Sequence, residues 1–518
     1  MIRRLLLILV SAALFALCFP DGPLPLLAFI CLVPFGLALE RTSARTGLFL
    51  GGVCGFCFWV IAAWWLANGF YFYVTLPRTA AWLWTLAGCL LAAVPYAAFG
   101  ALCGRFGWMR TFSGRIRAAA ALTVLLSWYP FLFPGNYVHS LYAMPPVVQV
   151  VDLGGVPLLL FLVNMINFFL AGAVLGRSGR RGFTADLSAA LLAGFLMVVY
   201  GLFRLHGLHQ VMAVADDTRR VRVVSVQPDL PLRRAGVPYL FGETGSMNDL
   251  DALLTLSAEG IERFPDADVI VWPELPSGIS CNPDNGLLRA AGELAGQSGI
   301  PFIINCYDPV DAGDYNTALL IRPNGAFGPG YRKRILLPFG EYLPGEKRLP
   351  WLRRLFPRAL HYIPGDGNVR LLPVGGGRRG IPTLCYEVLF SGHVREFVAQ
   401  GGDVIINLVD DVWFGESPAS AIHMALAVFR AVEFRLPLVR VTNSGNGVFV
   451  QPTGEIVKGS RTPTFTPLVT SFSLFVPPRR SLYAACGNAF LIFLTVVWIG
   501  ETAVKICLKR FNKGVAKN

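Results

Sequence analysis

Long apolar runs separated by short polar loops occupy the chain up to about residue 205, and one more such run lies near its C-terminal end. A helix needs roughly 17–25 mostly apolar residues to cross a bilayer. Most of these runs reach that length, and the first two read as a tight helical hairpin. The pattern predicts eight membrane spans, near residues 3–19, 24–39, 47–67, 81–103, 118–135, 156–176, 186–205 and 483–504.

The segment 206–480 has a different pattern. Short strand-like runs alternate with stretches whose apolar positions recur every three or four residues, which is the spacing of an amphipathic helix. This alternation predicts an α/β domain with a layered sheet. The predicted helices are 246–263, 287–299 and 420–434. The predicted strands are 221–227, 269–272, 301–305, 318–321, 380–385, 404–408, 438–442 and 447–451.

We therefore divide the chain into three parts. A membrane domain with seven helices is expected at 1–205, an α/β domain at 206–480, and the eighth helix with a cytoplasmic tail at 481–518. The composition agrees, because only 15% of the residues are charged and 54% are hydrophobic. Soluble domains usually contain about 25% charged residues.

The charge distribution predicts an orientation. The net charge of +13 reflects basic residues clustered in alternate short loops, which favours positive-inside topology over nucleic-acid binding. Both termini are expected in the cytoplasm, and 206–480 on the opposite side, the periplasm of a Gram-negative bacterium. The basic residues used are Arg3, Arg4, Arg41, Arg45, Arg105, Arg110, Arg115, Arg117, Arg177, Arg180, Arg181, Lys505, Lys509, Arg510, Lys513 and Lys517.

The chain contains eleven cysteines. Most lie in or beside apolar spans, where small buried hydrophobic side chains are expected. Cys281 and Cys306 lie in the α/β segment and would be able to pair if it is extracytoplasmic, but sequence leaves this open. No nucleotide-binding loop, metal-ligand cluster or cofactor motif occurs, so we expect no cofactor and no metal.

Cys385 is the candidate nucleophile. It follows the strand-like run 381–384, and a turn at a strand end exposes a nucleophile and directs backbone N–H groups at an oxyanion. A free cysteine has a pKa of about 8.5 and needs a base or a positive neighbour to react well. A buried structural thiol would explain Cys385 taken alone. Two further motifs favour a catalytic role.

Glu274 follows an apolar strand and a proline, so partial burial would raise its pKa towards the range for accepting and returning a proton. A strand-end charge or a helix cap is the alternative. Lys333 lies in a basic cluster, which alone would indicate a solvated face or a contact with lipid phosphate. Its spacing to Glu341 distinguishes it, because that second carboxylate would be able to pair with the lysine and hold it in place.

Three short motifs, Trp272-Pro273-Glu274, Tyr331-Arg332-Lys333 and Leu384-Cys385-Tyr386-Glu387, resemble those of the nitrilase superfamily in their chain order. An eight-span chain with such a domain before its last span resembles the apolipoprotein N-acyltransferase family over essentially its whole length. The resemblance implies a nitrilase-like α-β-β-α sandwich. Other matching motifs lie at 19–20, 32–34, 338–341, 413–415, 423, 430–433, 440 and 442–445, and departures from the family pattern are Pro228, Asp410 and Asn446.

The resemblance also implies a two-step acyl transfer. Cys385 would attack an acyl ester of a phospholipid, typically phosphatidylethanolamine, and the N-terminal α-amine of a diacylglyceryl-cysteine lipoprotein would then take the acyl group from the thioester. Glu274 would be the general base, and Lys333 would stabilise the oxyanion. Substrate and triad positioning would fall to Glu341, Tyr386 and Glu387.

The expected partners are therefore a phospholipid donor, diacylglyceryl apolipoproteins and the bacterial inner membrane, with no nucleic acid and a monomeric chain. Two rival functions remain. A membrane-tethered amidase or nitrile hydrolase would use water in place of the amine. A transporter or scaffold would show ionisable residues at span centres, and the sequence has almost none there.

Two polar or aromatic features of the spans have open interpretations. The segments 70–73 and 128–133 lie at the predicted outer interface, where they either line a substrate entry or form an aromatic belt without a substrate role. Asn164 and Asn167 lie three residues apart within one span, and we expect them to bond another helix.

Overall fold

The computed structural model describes residues 1–20, 22–176, 179–231, 249–275, 279–356 and 360–515, with the backbone alone at 179, 249, 250 and 505–515. Apolar side chains such as Phe35, Phe99 and Phe168 form the core of an N-terminal helical bundle. Its helices are Ile2–Cys18, Val33–Ala38, Ala44–Ala63, Leu66–Asn68, Arg78–Ala92, Val94–Phe106, Phe112–Trp128, Pro145–Val148, Val151–Leu175 and Gly179–Ala213.

Two of these helices approach each other closely because glycines face one another. A Cβ atom at Gly47 would lie 2.0 Å from the Gly100 carbonyl oxygen, and one at Gly51 would lie 2.1 Å from that of Tyr96. Small residues at a helix crossing allow backbone contact, which is a common way of packing helices in membranes. This close packing joins Ala44–Ala63 to Val94–Phe106.

Four helices among the described residues are long and apolar enough to cross a membrane. They are Ala44–Ala63, Arg78–Phe106, Val151–Leu175 and Arg180–Ala213, and Pro25–Ala38 and Ala489–Val504 are shorter apolar helices. The eight-span count therefore stays a prediction. The helix within the predicted span 118–135 runs from Phe112 to Trp128, because Pro130 disfavours helical backbone just before it.

The two asparagines within a span bond other elements, as predicted. Asn167 Oδ1 accepts from the Leu32 N–H at 2.8 Å, and its Nδ2 donates to the Ala28 carbonyl at 2.9 Å. Asn164 Nδ2 donates to Thr123 Oγ1 at 3.0 Å on the helix Phe112–Trp128. These bonds satisfy polar groups that have no water to bond inside a bilayer.

The described part of 206–480 contains eleven strands in two sheets. The strands, numbered β1 to β11 along the chain, are Arg220–Gln227, Val269–Val271, Phe302–Val310, Gly313–Ile321, Phe327–Arg332, Leu372–Val374, Arg378–Leu384, Val404–Val409, Leu438–Thr442, Val448–Val450 and Leu468–Phe475. The first sheet has the order β11-β1-β2-β3-β4-β5 and the second β10-β9-β8-β7-β6, with parallel pairs at β1-β2-β3 and β7-β8-β9.

The two sheets pack face to face and carry helices on their outer faces. Val223 and Ile303 of the first sheet share one core with Ile381 and Leu408 of the second. Asp249–Arg263 and Gly286–Ser298 cover the first sheet, and Ser391–Ala399 and Ala419–Phe434 cover the second. The predicted α-β-β-α sandwich is therefore confirmed. The remaining helices are Leu352–Leu355, Leu482–Cys486 and Ala489–Val515.

The predicted strands and helices agree with the observed ones to within a few residues, except at β3 and β4, which are longer; residues 246–248 of the first predicted helix lie outside the described residues. The sequence patterns missed β5, β6, β11 and Ser391–Ala399. β5 contains Gly328-Pro329-Gly330, which disfavours a strand locally. It forms because antiparallel pairing with β4 overrides that preference.

Cys281 and Cys306, whose pairing the sequence left open, form a disulfide with a Cα–Cα distance of 5.1 Å. The bond ties the segment after β2 to β3, close to where the chain leaves Glu274.

Candidate active site

Cys385 begins the helical turn Cys385–Leu389 directly after β7. Its φ of +48° is in the left-handed region, which costs a non-glycine residue about 1–3 kcal/mol and often marks a functional turn. Asn407 Nδ2 bonds the carbonyls of Thr383 and Cys385, each at 3.2 Å, and so supports this geometry from β8. The first N–H groups of a helical turn have no acceptor within it, so they are available to an oxyanion.

Lys333 joins the two predicted carboxylates in one buried group. Its Nζ lies 3.1 Å from Glu274 Oε1 and 2.7 Å from Glu341 Oε1, and each of the three residues is at most 4% exposed. Glu274 follows β2 and Lys333 follows β5 of the same sheet, with β3 and β4 between them. The Lys333 N–H donates to the Asn316 carbonyl of β4 at 2.8 Å, which holds the lysine on the side of Glu274. Asn316, which the sequence did not single out, donates to Glu274 Oε1 at 2.7 Å.

The two carboxylate oxygens of Glu274 differ in their hydrogen bonding, because Oε1 bonds Lys333 and Asn316. Among the described residues Oε2 has no hydrogen-bond partner, although it is buried. A buried carboxylate oxygen without a partner loses the stabilisation that water would provide. This oxygen is therefore open to a hydrogen bond from a group that approaches it.

Burial and charge set the protonation of this group. Burial alone would lower the pKa of Lys333, but the negative charges of Glu274 and Glu341 outweigh it and raise that pKa, so the lysine is an ammonium. Burial raises the pKa of Glu341 despite Lys333. Burial also raises the pKa of the Cys385 thiol, and Glu274 adds to this while Lys333 opposes it. The thiol is thus protonated at neutral pH and needs a base.

Glu387 connects the turn of Cys385 to the segment that follows Lys333. Its Oε1 accepts from the N–H groups of Arg334 and Ile335 at 2.7 and 3.0 Å and from the Tyr331 hydroxyl at 2.7 Å. Its Oε2 accepts from the Leu384 N–H at 2.9 Å. These four bonds to a carboxylate with no exposed surface fix the two segments relative to each other.

The other two supporting residues also contact elements near the turn. Glu341 Oε2 accepts from the Leu337 N–H at 2.7 Å, which orients it towards Lys333. The Tyr386 hydroxyl donates to the Leu132 carbonyl, and its ring packs on Phe133 with centroids 5.5 Å apart. Tyr386 therefore links the turn of Cys385 to the membrane helices.

A second polar group also lies close to Cys385, on and beside the helix Ala419–Phe434. Asp411 Oδ1 bonds His423 Nδ1 at 3.1 Å, and its Oδ2 accepts from Arg440 Nη2 at 2.6 Å and Ser420 Oγ at 2.7 Å. Sequence reasoning gave His423 and Arg440 only as matches to the family and missed Asp411. The sequence signal for it was its place just before Trp413-Phe414-Gly415, a motif that matches the family.

Opposing effects set the charges of this second group as well. Burial would raise the pKa of Asp411, but Arg440 and His423 outweigh it and hold that pKa below its usual range. Burial, followed by Arg440, lowers the pKa of His423. The aspartate is ionised and the imidazole is neutral at neutral pH. Donor atoms of Cys385, Asp411 and His423 lie within 4.8 Å of one another, the one such group among the described residues able to hold a metal.

An apolar cavity of about 280 Å³ leads from the membrane helices to His423. Both aromatic segments contribute to it, through Phe70 and through residues 129–133, so their side chains line a cavity rather than form only a belt. Its remaining wall comes from helical residues such as Trp59, Gly88 and Ile422. The shape and lining suit a hydrocarbon chain.

The α-β-β-α sandwich and its residues belong to a known domain class. The family model for carbon-nitrogen hydrolases matches residues 246–470, and the model for the apolipoprotein N-acyltransferase N-terminal domain matches residues 11–169. The chain is thus a carbon-nitrogen hydrolase domain joined to a helical membrane domain.

Whole-length relatives specify the family. An apolipoprotein N-acyltransferase of Allorhizobium ampelinum is 31% identical over 89% of this chain and 88% of its own, and apolipoprotein N-acyltransferase 1 of Treponema denticola is 25% identical over 99% and 98%. The chain belongs to the apolipoprotein N-acyltransferase family. A crystal structure of an amidase from Nesterenkonia sp. aligns with a TM-score of 0.37 and 20% identity over 51% of this chain and 93% of that one.

Proposed function

We propose that this inner-membrane protein transfers a fatty acyl chain from a phospholipid, phosphatidylethanolamine in the first instance, to the N-terminal α-amine of a diacylglyceryl-cysteine lipoprotein. The names of its relatives support this reaction. The observation that carries the proposal is the apolar cavity that runs from the membrane helices to His423. His423 in turn lies within 4.8 Å of Cys385. An acyl chain in this cavity would have its ester within reach of the thiol.

In the first half-reaction, Glu274 Oε2 takes the proton of the Cys385 thiol, and the thiolate attacks the ester carbonyl carbon. Negative charge develops on the carbonyl oxygen, and the Lys333 ammonium stabilises it. The carbon–oxygen ester bond then breaks. The leaving alkoxide takes the proton from Glu274 and departs as a lysophospholipid, and the acyl group remains on sulfur as a thioester.

In the second half-reaction, the neutral α-amine of the lipoprotein attacks the thioester carbonyl. Glu274 accepts the proton that the nitrogen loses, the carbon–sulfur bond breaks, and the thiolate of Cys385 takes that proton back. The products are an amide and the free thiol, so the enzyme returns to its starting state. Glu341, Tyr386 and Glu387 act by positioning, as their bonds to Lys333, Leu132 and the backbone of Leu384 suggest.

The proposed topology has both termini in the cytoplasm, eight spans, and residues 206–480 as a periplasmic domain between 1–205 and 481–518. The Cys281–Cys306 disulfide supports this orientation, because such bonds persist in the periplasm and are rare in the cytosol. We propose that the chain acts as a monomer.

An amidase or nitrile hydrolase is the main alternative, because the family model that matches residues 246–470 is that of carbon-nitrogen hydrolases. The apolar lining of the cavity disfavours it, because a small polar amide would gain nothing from that surface. A non-catalytic scaffold would not need a buried, unpartnered carboxylate oxygen and a cysteine with a positive φ.

The deciding experiment is intact-protein mass spectrometry after the purified full-length chain meets phosphatidylethanolamine vesicles without an acceptor. We expect a gain of one acyl mass that hydroxylamine removes and that Cys385→Ala lacks. Accumulation of lysophospholipid and free fatty acid without an adduct would indicate a hydrolase. No adduct and no lipid turnover with several headgroups would overturn the proposal.

A further inference from the structure

Three donor atoms of different chemistry meet beside the apolar cavity. Cys385 supplies a thiol sulfur, His423 a ring nitrogen and Asp411 a carboxylate oxygen, all within 4.8 Å of one another and all buried. They come from a turn, a helix and the loop after β8, so they meet only in the folded chain. Thiolate, imidazole and carboxylate together are a ligand set that zinc prefers.

The spacing of two of these atoms suits one ion. Zinc binds nitrogen and oxygen ligands at about 2.0–2.2 Å, which places two neighbouring ligands roughly 3.3 Å apart. His423 Nδ1 and Asp411 Oδ1 are 3.1 Å apart. An ion between them would replace the proton they share, and rotation of the Cys385 side chain would close the remaining gap to sulfur. Asp411 is already held by Arg440 and Ser420, so it needs no rearrangement.

The other ring nitrogen is also suitably placed. His423 Nε2 makes no hydrogen bond of ordinary geometry with the described residues, yet the Cys385 backbone lies near enough to favour a proton on the ring. When Nδ1 binds a metal, the ring proton moves to Nε2, and a backbone carbonyl beside it would fix that tautomer. Metal-bound histidines usually have such a second partner.

The charges around the thiol also suit a divalent cation. Three carboxyl groups, Glu274, Glu341 and Asp411, contribute to the field at Cys385, and Lys333 and Arg440 are the facing cations. A metal ion would bind the sulfur as a thiolate and displace the thiol proton to water. The bound state would then carry a thiolate compensated by the ion.

We propose that Cys385, Asp411 and His423 form a reversible binding site for Zn²⁺. Zinc bound there blocks the Cys385 thiol from reacting with an acyl donor. The inhibitory consequence rests on the proposed function, because it requires Cys385 to be the acylated residue. Zinc binding itself does not require Cys385 to be acylated, so an experiment can distinguish failure of the zinc site from failure of the proposed function.

The test uses Co²⁺ as a coloured probe for Zn²⁺ with the full-length chain in detergent. We expect a sulfur-to-cobalt charge-transfer band that Zn²⁺ removes and that Cys385→Ser lacks. His423→Gln should weaken binding at least about tenfold, and Asp411→Asn by about 10- to 100-fold. Cys486→Ser, which removes an exposed thiol elsewhere, is the matched control and should bind as before.

Several outcomes would overturn the proposal: no band, a band that persists in Cys385→Ser, or affinity that is unchanged in His423→Gln. X-ray absorption of the zinc-loaded unmodified chain covers the case in which a variant fails to fold. It should show one sulfur at about 2.3 Å and imidazole nitrogen at about 2.0–2.1 Å, and sulfur without imidazole would again overturn it. If zinc binds while phospholipid gives no adduct in its absence, the site stands and the proposed function fails.

Discussion

Two buried polar groups lie close to Cys385, and they contain similar side chains but differ in how completely their hydrogen bonds are satisfied. The carboxylate side consists of Glu274, Lys333 and Glu341, and its Glu274 Oε2 has no partner among the described residues. The helix side consists of Asp411, His423 and Arg440, and both oxygens of its aspartate are engaged. An unsatisfied oxygen can accept a proton, whereas a satisfied carboxylate holds its neighbours in place.

This difference predicts different consequences of mutation. Removing one partner of a buried ion pair costs about 3–5 kcal/mol, because a charge remains buried without compensation. On the carboxylate side we expect a loss of rate, accompanied by a loss of stability where the Lys333 ammonium is removed. On the helix side we expect loss of stability to dominate. Four changes break or sharpen this contrast, from the largest expected effect to the smallest.

Glu274→Gln removes the proposed base while keeping the shape of the side chain. We expect thioester formation to slow by about 10²- to 10⁴-fold, the usual contribution of general-base catalysis. The rate of acyl-adduct growth by mass spectrometry measures this. Glu259→Gln, on an outer helix and 43% exposed, is the matched control and should keep the original rate. A rate within a few-fold of the unmodified chain would exclude Glu274 as the base.

Lys333→Met removes the one cation between two carboxylates. We expect the rate to fall about 10²- to 10³-fold through loss of oxyanion stabilisation, and the free energy of unfolding to fall by about 3–5 kcal/mol. Adduct growth and thermal unfolding in detergent measure the two effects. Lys347→Met changes an exposed lysine and should alter neither. Full activity in Lys333→Met would remove the lysine from the mechanism.

Asp411→Asn tests the helix side through pH. Because Arg440 and His423 hold the pKa of Asp411 below its ordinary 3.8, its carboxylate stabilises the fold above that value, and the contribution is lost as pH falls through the lowered pKa. The variant should be less stable by about 3–5 kcal/mol at pH 7, and the difference should shrink below about pH 4. Thermal unfolding between pH 7 and pH 3 measures it.

The control for that experiment is Asp266→Asn. Asp266 forms an exposed pair with Arg222, with 63% of its side chain accessible, so its contribution should be small at every pH. A stability difference for Asp411→Asn that stays constant down to pH 3 would contradict a lowered pKa for Asp411.

Gly88→Trp tests the cavity that ends at the helix side. A Cβ atom at Gly88 meets nothing within 4 Å, so a large side chain should fill the cavity without breaking the helix. We expect the rate with long-chain donors to fall by up to about tenfold and that with short-chain donors to fall less. Gly207→Trp, in equally open space on another helix and outside the cavity lining, is the control. Equal losses for all chain lengths would contradict an acyl site.

The carboxylate side was largely predictable because each of its members follows a recognisable apolar strand or motif. Glu274 follows β2, and Cys385 follows β7. Lys333 was harder, because β5 before it contains Gly328-Pro329-Gly330 and has no strand pattern. Its assignment depended on the spacing to Glu341, and the structure puts their charged atoms 2.7 Å apart.

The helix side and the fine structure of the site were not predictable in the same way. Asp411 and Arg440 are 29 residues apart, and Asn316 lies 42 residues from Glu274, with no periodicity that joins them. The strand β11 was missed because its alternating serines and threonines give a weak apolar pattern. It forms by pairing with β1, which lies more than two hundred residues earlier.

By itself, the sequence determined that this protein has apolar helices followed by an α/β domain, and it supplied Glu274, Lys333 and Cys385 as candidates for its chemistry. The spacing of apolar residues indicates the helices and strands, because each element buries one face whatever it packs against. Short local motifs indicate the candidate residues. Only the tertiary structure decided that Glu274 Oε2 has no described partner, that Asp411 orients His423, and that an apolar cavity reaches His423. Hydrogen-bond partners and cavities arise between residues far apart in the chain, and no local pattern records them.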